Sequence, residues 1–187
     1  MAEKATLHFD GKDFDFPVLT GSESEKAFDI SELRKKTGLV TLDYGYLNTG
    51  STKSNITFVD GEQGILRYRG YAIEDLAEKA TFPETAWLLI YGELPTEEQL
   101  THFRKMLTEN ALIHENLLHF FREMPPSAHP MGILSSIVNA VGLFTPRFYD
   151  DEDKEDVFNL TTAGLISKIR TIAAFTYKAS IGEPFVY

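Results

Sequence analysis

Histidines are the residues of this sequence best suited to acid–base or metal chemistry, and there are five of them. His114 and His119 are five positions apart, so their side chains diverge on a helix, and no His-x-x-x-His pair occurs. His129 precedes Pro130 where a helix is expected to begin, and we interpret it as a packed or capping histidine. The remaining two are His8 and His102. The spacing therefore predicts neither a metal site nor a catalytic histidine.

Paired carboxylates are the second set of side chains that can carry out acid–base chemistry. Glu97 and Glu98, like Asp150 and Asp151, fall where helices are expected to begin, and the helix dipole favours negative charge there. We interpret both pairs as solvated residues of helix starts. The glycines lack the spacing of a phosphate-binding loop, no Gly-x-Ser-x-Gly motif occurs, and there is no cysteine. The residues alone therefore indicate no active site.

Composition limits the class of protein and its partners. The chain has 187 residues, of which 43% are hydrophobic, enough for one sizeable core. Its net charge of −10 disfavours binding to nucleic acid or to anionic membranes. Residues 1–5 show no apolar signal region, and the apolar stretches are shorter than the ~20 residues of a membrane span. We therefore expect a soluble, cytoplasmic protein.

The elements that would position these residues begin with short strands. Apolar and polar residues alternate on both sides of Asp10-Gly11, which predicts a β-hairpin, and a second hairpin is predicted across residues 60–64. Ser31 is predicted to cap a short helix that stops at Gly38. We assign residues 1–70 to an N-terminal β-hairpin region.

After Gly70 the apolar residues recur with a helical period. Thr81 with Glu84, and Thr96 with Gln99, have the spacing of capping boxes and predict two helix starts. Further helices are predicted from Ile113, from Ser127 and from about residue 157, and the last is apolar on more than one face, which predicts burial on several sides. We assign residues 71–187 to a helical domain, so the predicted fold is mainly α with a small N-terminal β region.

Several segments, in order, resemble the citrate synthase family. They are residues 56–73 (ITFVDGEQGILRYRGYAI), 88–96 (LLIYGELPT), 113–115 (IHE), 127–131 (SAHPM), 165–168 (LISK) and 177–187 (YKASIGEPFVY). Residues 5–19 resemble the extra β region of the longer, Gram-negative type of the enzyme. The resemblance covers essentially the whole chain, and it identifies the chain as the N-terminal, multi-helical portion of such a protein. The apolar ending at residues 184–187 also favours a piece of a longer polypeptide.

The resemblance implies a function for the parent protein rather than for this chain alone. The family condenses acetyl-CoA with oxaloacetate to give citrate and CoA, at entry to the tricarboxylic acid cycle. Its aspartate base, two histidines and substrate-binding arginines lie beyond the matching region, so no catalytic residue is assigned here. The resemblance implies no cofactor and no metal, with acetyl-CoA as a substrate bound by the absent half. On its own, the chain is expected to be inactive.

The resemblance also implies a homodimer or higher homo-oligomer that associates through helices 127–145 and 157–182. Two alternatives remain for the function. A 2-methylcitrate synthase uses propionyl-CoA on the same fold, and its distinguishing residues would lie outside this chain. A non-catalytic assembly module would instead form a discrete oligomer of this chain alone.

One departure from the family concerns regulation. The longer type often carries an allosteric NADH site, with an Arg-His-Thr stretch where this chain has residues 109–111 (Glu-Asn-Ala). A family arginine corresponds to Gly164, a family tyrosine corresponds to Thr145 or Tyr149, and only Lys168 matches. We therefore assign Lys168 as a remnant of a cofactor-binding site. NADH inhibition is predicted to be weak or absent, because Glu109 would repel the dinucleotide phosphates.

Overall fold

The computed structural model describes residues 3–144 and 154–187, with side chains from residue 158 onward in the second range. The chain divides into two compact units, Met1–Asn55 and Ile56–Tyr187. Thr145, Tyr149 and the Asp150–Asp151 pair lie outside the described residues.

The first unit, over its described residues 3–55, contains one small antiparallel sheet and one short helix. Its strands are β1 (Lys4–Phe9), β2 (Lys12–Thr20) and β3 (Lys26–Phe28), in the order β1-β2-β3. Asp10 and Gly11 join β1 to β2 with φ values of 50° and 70°. Two successive left-handed residues form the tight turn whose twist suits a hairpin, so the predicted first hairpin is confirmed. Phe16 of β2 is fully buried.

Helix α1 (Leu33–Thr37) ends at Gly38, as predicted, and Gly38 has a left-handed φ of 77°. The predicted cap at Ser31 is wrong, because Glu32 occupies the N-cap position and makes no side-chain cap bond. Instead, the backbone N–H of Ser31 donates to Oδ1 of Asp29 at 2.8 Å. A turn centred on Asp29 therefore precedes the helix.

The second unit opens with the second predicted hairpin, which is confirmed. Strands β4 (Thr57–Asp60), β5 (Ile65–Tyr68) and β6 (Tyr71–Ala72) form an antiparallel sheet in that order. Oδ1 of Asp60 accepts the N–H groups of Glu62 and Gln63, each at 3.0 Å, and this closes the hairpin loop. The sequence interpretation grouped this hairpin with the N-terminal β region, whereas in the structure it belongs to the compact unit that contains the larger helices.

Within the described residues six helices follow the sheet, which confirms the mainly α fold with a small β region. They are α2 (Ile73–Lys79), α3 (Phe82–Tyr91), α4 (Glu97–Glu109), α5 (Leu117–Glu123), α6 (Pro130–Leu143) and α7 (Lys154–Ser180). Both capping boxes form. Glu84 accepts from the N–H and the hydroxyl of Thr81, and Gln99 accepts the N–H of Thr96 at 2.8 Å.

Two helices start later than their apolar patterns predict. Helix α5 begins at Leu117 rather than near Ile113, because the Nδ1 atom of His114 accepts the N–H of Asn116 in a turn ahead of the helix. Helix α6 begins at Pro130 rather than at Ser127. Proline fits the first helical position because its missing N–H has no intrahelical partner there.

The core of the second unit lies among α5, α6 and α7. Phe121, Ile137, Ile172 and Phe175 are at most 2% exposed. Phe185, beyond the end of α7, stacks on Phe175 with ring centroids 4.9 Å apart. The segment that follows α7 therefore completes this core.

Candidate functional site at the junction of α4 and α7

The C-terminal end of α4 contains residues that the resemblance assigns to an allosteric site. The carbonyl groups in the last turn of any helix lack intrahelical partners and need other donors. Asn110 is the C-cap residue, and its side-chain amide donates back to the oxygen of Met106 at 2.9 Å. That bond satisfies one carbonyl and leaves the oxygens nearer the end to accept from elsewhere.

Helix α7 supplies those donors from three side chains on one face. Ser167 Oγ donates to the oxygen of Leu107 at 2.5 Å, Lys168 Nζ to that of Asn110 at 2.8 Å, and Thr171 Oγ1 to that of Ala111 at 2.8 Å. All three donor residues are at most 9% exposed. We refer to Ser167, Lys168 and Thr171 as the α7 donor triad.

Lys168 contributes a positive charge to this junction. The negative end of the α4 dipole favours a cation at this position. Burial disfavours the charged form and lowers the pKa of Lys168 below its ordinary value. The hydrogen bond to the carbonyl of Asn110 and the negative helix end offset part of that cost.

The structure places Lys168 against the backbone oxygen of Asn110, the middle residue of the 109–111 stretch. Gly164 is buried one turn earlier on α7. The contacts here are internal, however, since Lys168 donates to the backbone of α4. Ser167 and Thr171 were not predicted, although Thr171 follows Ser167 by four residues and Lys168 by three, which are the spacings that make helical side chains neighbours on one face.

The histidines do not converge on a common site. Nδ1 of His129 accepts the N–H of Met131 at 3.2 Å at the start of α6, which confirms the capping interpretation. His114 stacks on Phe144 at 4.9 Å, and His8 contacts Asp13 at 2.6 Å on an exposed strand. Across residues 3–144 and the described part of α7 onward, no group of three or more metal-ligating side chains is placed to hold an ion.

The acidic pair at the start of α4 is solvated, as predicted. Glu97 and Glu98 are exposed in the first turn of the helix. They line a shallow depression on the outer face of α4 together with Thr101, His102 and Lys105. This depression is open to solvent and holds no buried polar group.

Apolar side chains are exposed on the two longest helices. Met131 and Leu143 are 60% and 82% exposed on α6, and Leu165 and Ile169 are 44% and 37% exposed on α7. Burial on several sides was predicted for α7, but within this chain it is buried on one side only. No helix in the described parts of the chain is both long and apolar enough to cross a bilayer.

These features define a multi-helical protein of the mainly α class, with polar residues engaged in helix-end contacts. A family profile described as "Citrate synthase, C-terminal domain" matches residues 45–187. The chain belongs to the citrate synthase family. It is 44% identical over 185 residues to citrate synthase 1 of Mycobacterium tuberculosis, in each of two strains. This match covers 99% of the chain but 43% of the relative, so the chain spans less than half the length of these curated relatives.

Solved citrate synthases have the same fold. The enzyme of Pyrobaculum aerophilum matches 92% of this chain and 40% of its own, with a TM-score of 0.66 and 25% identity. The enzyme of Thermotoga maritima matches 79% of this chain and 37% of its own, with a TM-score of 0.65 and 28% identity. The enzyme of Thermoplasma acidophilum matches 78% of this chain and 38% of its own, with a TM-score of 0.69 and 24% identity. It was solved as a ternary complex with carboxymethyl coenzyme A and oxaloacetate.

Proposed function

We propose that this chain is the N-terminal portion of a citrate synthase, which condenses acetyl-CoA with oxaloacetate to give citrate and CoA. The observation that carries the proposal is the 44% identity over 185 residues to a curated citrate synthase. The matching stretch makes up 43% of that relative's length. In this proposal the chain supplies scaffold, and the catalytic residues belong to the remainder of the polypeptide. The internal roles of His114, His129 and Lys168 support a structural part of the molecule.

The intact mass of the protein purified from its native source tests the proposal first. We expect a mass well over twice the 21.1 kDa of this chain. The full-length protein should release CoA from acetyl-CoA and oxaloacetate, whereas the 187-residue chain should release none. Preference for propionyl-CoA would favour 2-methylcitrate synthase, and a native mass near 21.1 kDa would favour an assembly module.

The proposal includes a homodimer or higher homo-oligomer in the cytoplasm. The exposed apolar residues of α6 and α7 support it, because monomers seldom expose large contiguous apolar patches. Small residues, Gly132, Ser135 and Ser136, lie on the exposed side of α6 between Met131 and Leu143. They would let a second helix approach closely. Fractionation of the native cells tests the location.

We also propose that NADH does not regulate this protein strongly. Lys168 already donates to the oxygen of Asn110, and Glu109, which carries a negative charge, directly precedes Asn110 in the sequence. An incoming phosphate would have to displace a buried hydrogen bond and approach a carboxylate. Tight, salt-sensitive binding of NADH to the full-length protein would overturn this part of the proposal.

A further inference from the structure

An exposed apolar loop follows α1 in the first unit. Five large apolar side chains within eight residues are exposed: Val40 71%, Leu42 79%, Tyr44 82%, Tyr46 72% and Leu47 83%. We refer to residues 40–47 as the apolar loop. Isolated exposed apolar residues are ordinary, but a run of this density on a soluble protein is typical of an interaction surface.

The backbone of the apolar loop is held in a defined shape by Asp43. Its carboxylate accepts the N–H groups of Leu47 and Asn48 at 3.1 and 2.9 Å and the hydroxyl of Thr49 at 2.6 Å. The Thr49 hydroxyl and then the Asn48 N–H lower the pKa of Asp43, so the carboxylate stays ionised and the bonds persist at neutral pH. A loop fixed in this way loses less entropy on binding than a disordered one.

The chemistry of the apolar loop identifies the surface that it fits. Its one charged residue, Asp43, is engaged by the loop itself, and residues 40–47 include no lysine or arginine. Its two tyrosines are of a residue type that is enriched at protein–protein interfaces, and its two leucines and one valine suit a partly apolar protein surface. Nucleic acid and anionic lipid would require a positive charge that residues 40–47 lack.

We propose that the apolar loop docks on the part of the citrate synthase polypeptide that lies outside these 187 residues. The inference rests on the proposed function. The chain covers 43% of its curated relatives, which leaves 57% (100 − 43) of such a polypeptide to provide the docking surface. The family profile begins to match at residue 45, within the loop, so the loop adjoins the region that the family shares.

Photo-crosslinking in the full-length polypeptide tests the inference. The substitution Tyr46→p-benzoylphenylalanine places a reactive group on the loop, and the same group at Val59, which is 69% exposed on β4, is the matched control. We expect crosslinks from position 46, located by mass spectrometry, to residues beyond the 187. Crosslinks only to residues within the 187, to a second copy of residues 1–187, or to none would overturn the inference.

Amide exchange gives a second readout that needs no substitution. Amides of residues 44–47 should exchange at least about tenfold more slowly in the full-length protein than in the 187-residue chain. Equal exchange in the two proteins would contradict docking. A full-length protein that makes citrate but fails both tests would overturn the inference alone, whereas a native mass near 21.1 kDa would remove the proposed function as well.

Discussion

The ammonium nitrogen of Lys168 lies 2.8 Å from the backbone oxygen of Asn110, so a buried cation of α7 closes the end of α4. The two residues are 58 positions apart in the chain. Ser167 and Thr171 reinforce the contact on either side. The α7 donor triad therefore joins α7 to the end of α4 through backbone oxygens, which every residue type, proline included, retains.

Removal of the Lys168 charge is the first test of this arrangement. We expect Lys168→Met to lower the free energy of unfolding by about 1–3 kcal/mol, because it removes a charged donor from a buried helix end. The methionine keeps most of the apolar stem and so limits the loss of packing. Chemical unfolding followed by circular dichroism measures the change. Lys105→Met, at a side chain that is 71% exposed, is the control and should have little effect.

The pH dependence of stability provides a separate test of Lys168. Burial lowers its pKa in the folded protein below the ordinary value of 10.5. The unfolded chain then binds the proton more tightly, so this residue makes the free energy of unfolding rise with pH between the folded pKa and 10.5. Unfolding at several alkaline pH values should show this rise in the wild type but not in Lys168→Met. Parallel curves for the two proteins would contradict a perturbed lysine.

The two capping boxes form a matched pair for acid titration. Thr81 is paired with the carboxylate of Glu84, whereas Thr96 is paired with the neutral amide of Gln99. Each Thr→Ala substitution should cost about 0.5–2 kcal/mol at neutral pH. Hydrogen bonds from Thr81 lower the pKa of Glu84 below 4.5, so that stabilisation is present above 4.5 and is lost as pH falls through the folded value.

Acid should therefore separate the two substitutions. The effect of Thr81→Ala on the unfolding free energy should shrink at low pH, while that of Thr96→Ala should not. Urea unfolding at neutral and acid pH gives both values. An equal decrease in the effects of the two substitutions at acid pH would show that ionisation of the Glu84 carboxylate does not contribute to the capping energy.

Phe175 provides a test of the core. It is 1% exposed and contacts the rings of Phe121, Phe185 and Tyr187. We expect Phe175→Ala to cost about 3–5 kcal/mol, because it leaves a cavity among three helices. Tyr177→Ala, on the same helix but 66% exposed, should cost far less in the same thermal or chemical unfolding experiment.

The exposed face of α7 predicts self-association of the chain. Leu165→Asp and Ile169→Asp should shift the protein from oligomer to monomer, because each places a charge in an apolar contact. Light scattering after size-exclusion chromatography measures the mass. Val59→Asp, at an equally apolar but separate exposed site, should leave the mass unchanged. A monomeric wild-type chain would contradict the expectation.

Local chemistry explains what could be predicted from the sequence. The Asp10-Gly11 turn and both capping boxes depend on residues within a few positions of each other, and all three form as predicted. The donor triad could not be predicted, since its partners are 58 to 60 residues away. The predicted start of α5 was wrong. The apolar spacing begins at Ile113, whereas the His114 side chain accepts the N–H of Asn116 in a turn that precedes the helix.

The separation between the triad and its acceptors also has a consequence for synthesis on the ribosome. The turns and caps of residues 4–99 need only neighbouring residues, so they can form as soon as they emerge. The end of α4 instead gains its three side-chain donors only after Thr171 has left the exit tunnel, because all three lie on α7. During that interval the hairpins are complete, but the end of α4 lacks its donors from α7. A translational pause before residue 171 would prolong the exposure of the nascent core to chaperones and proteases.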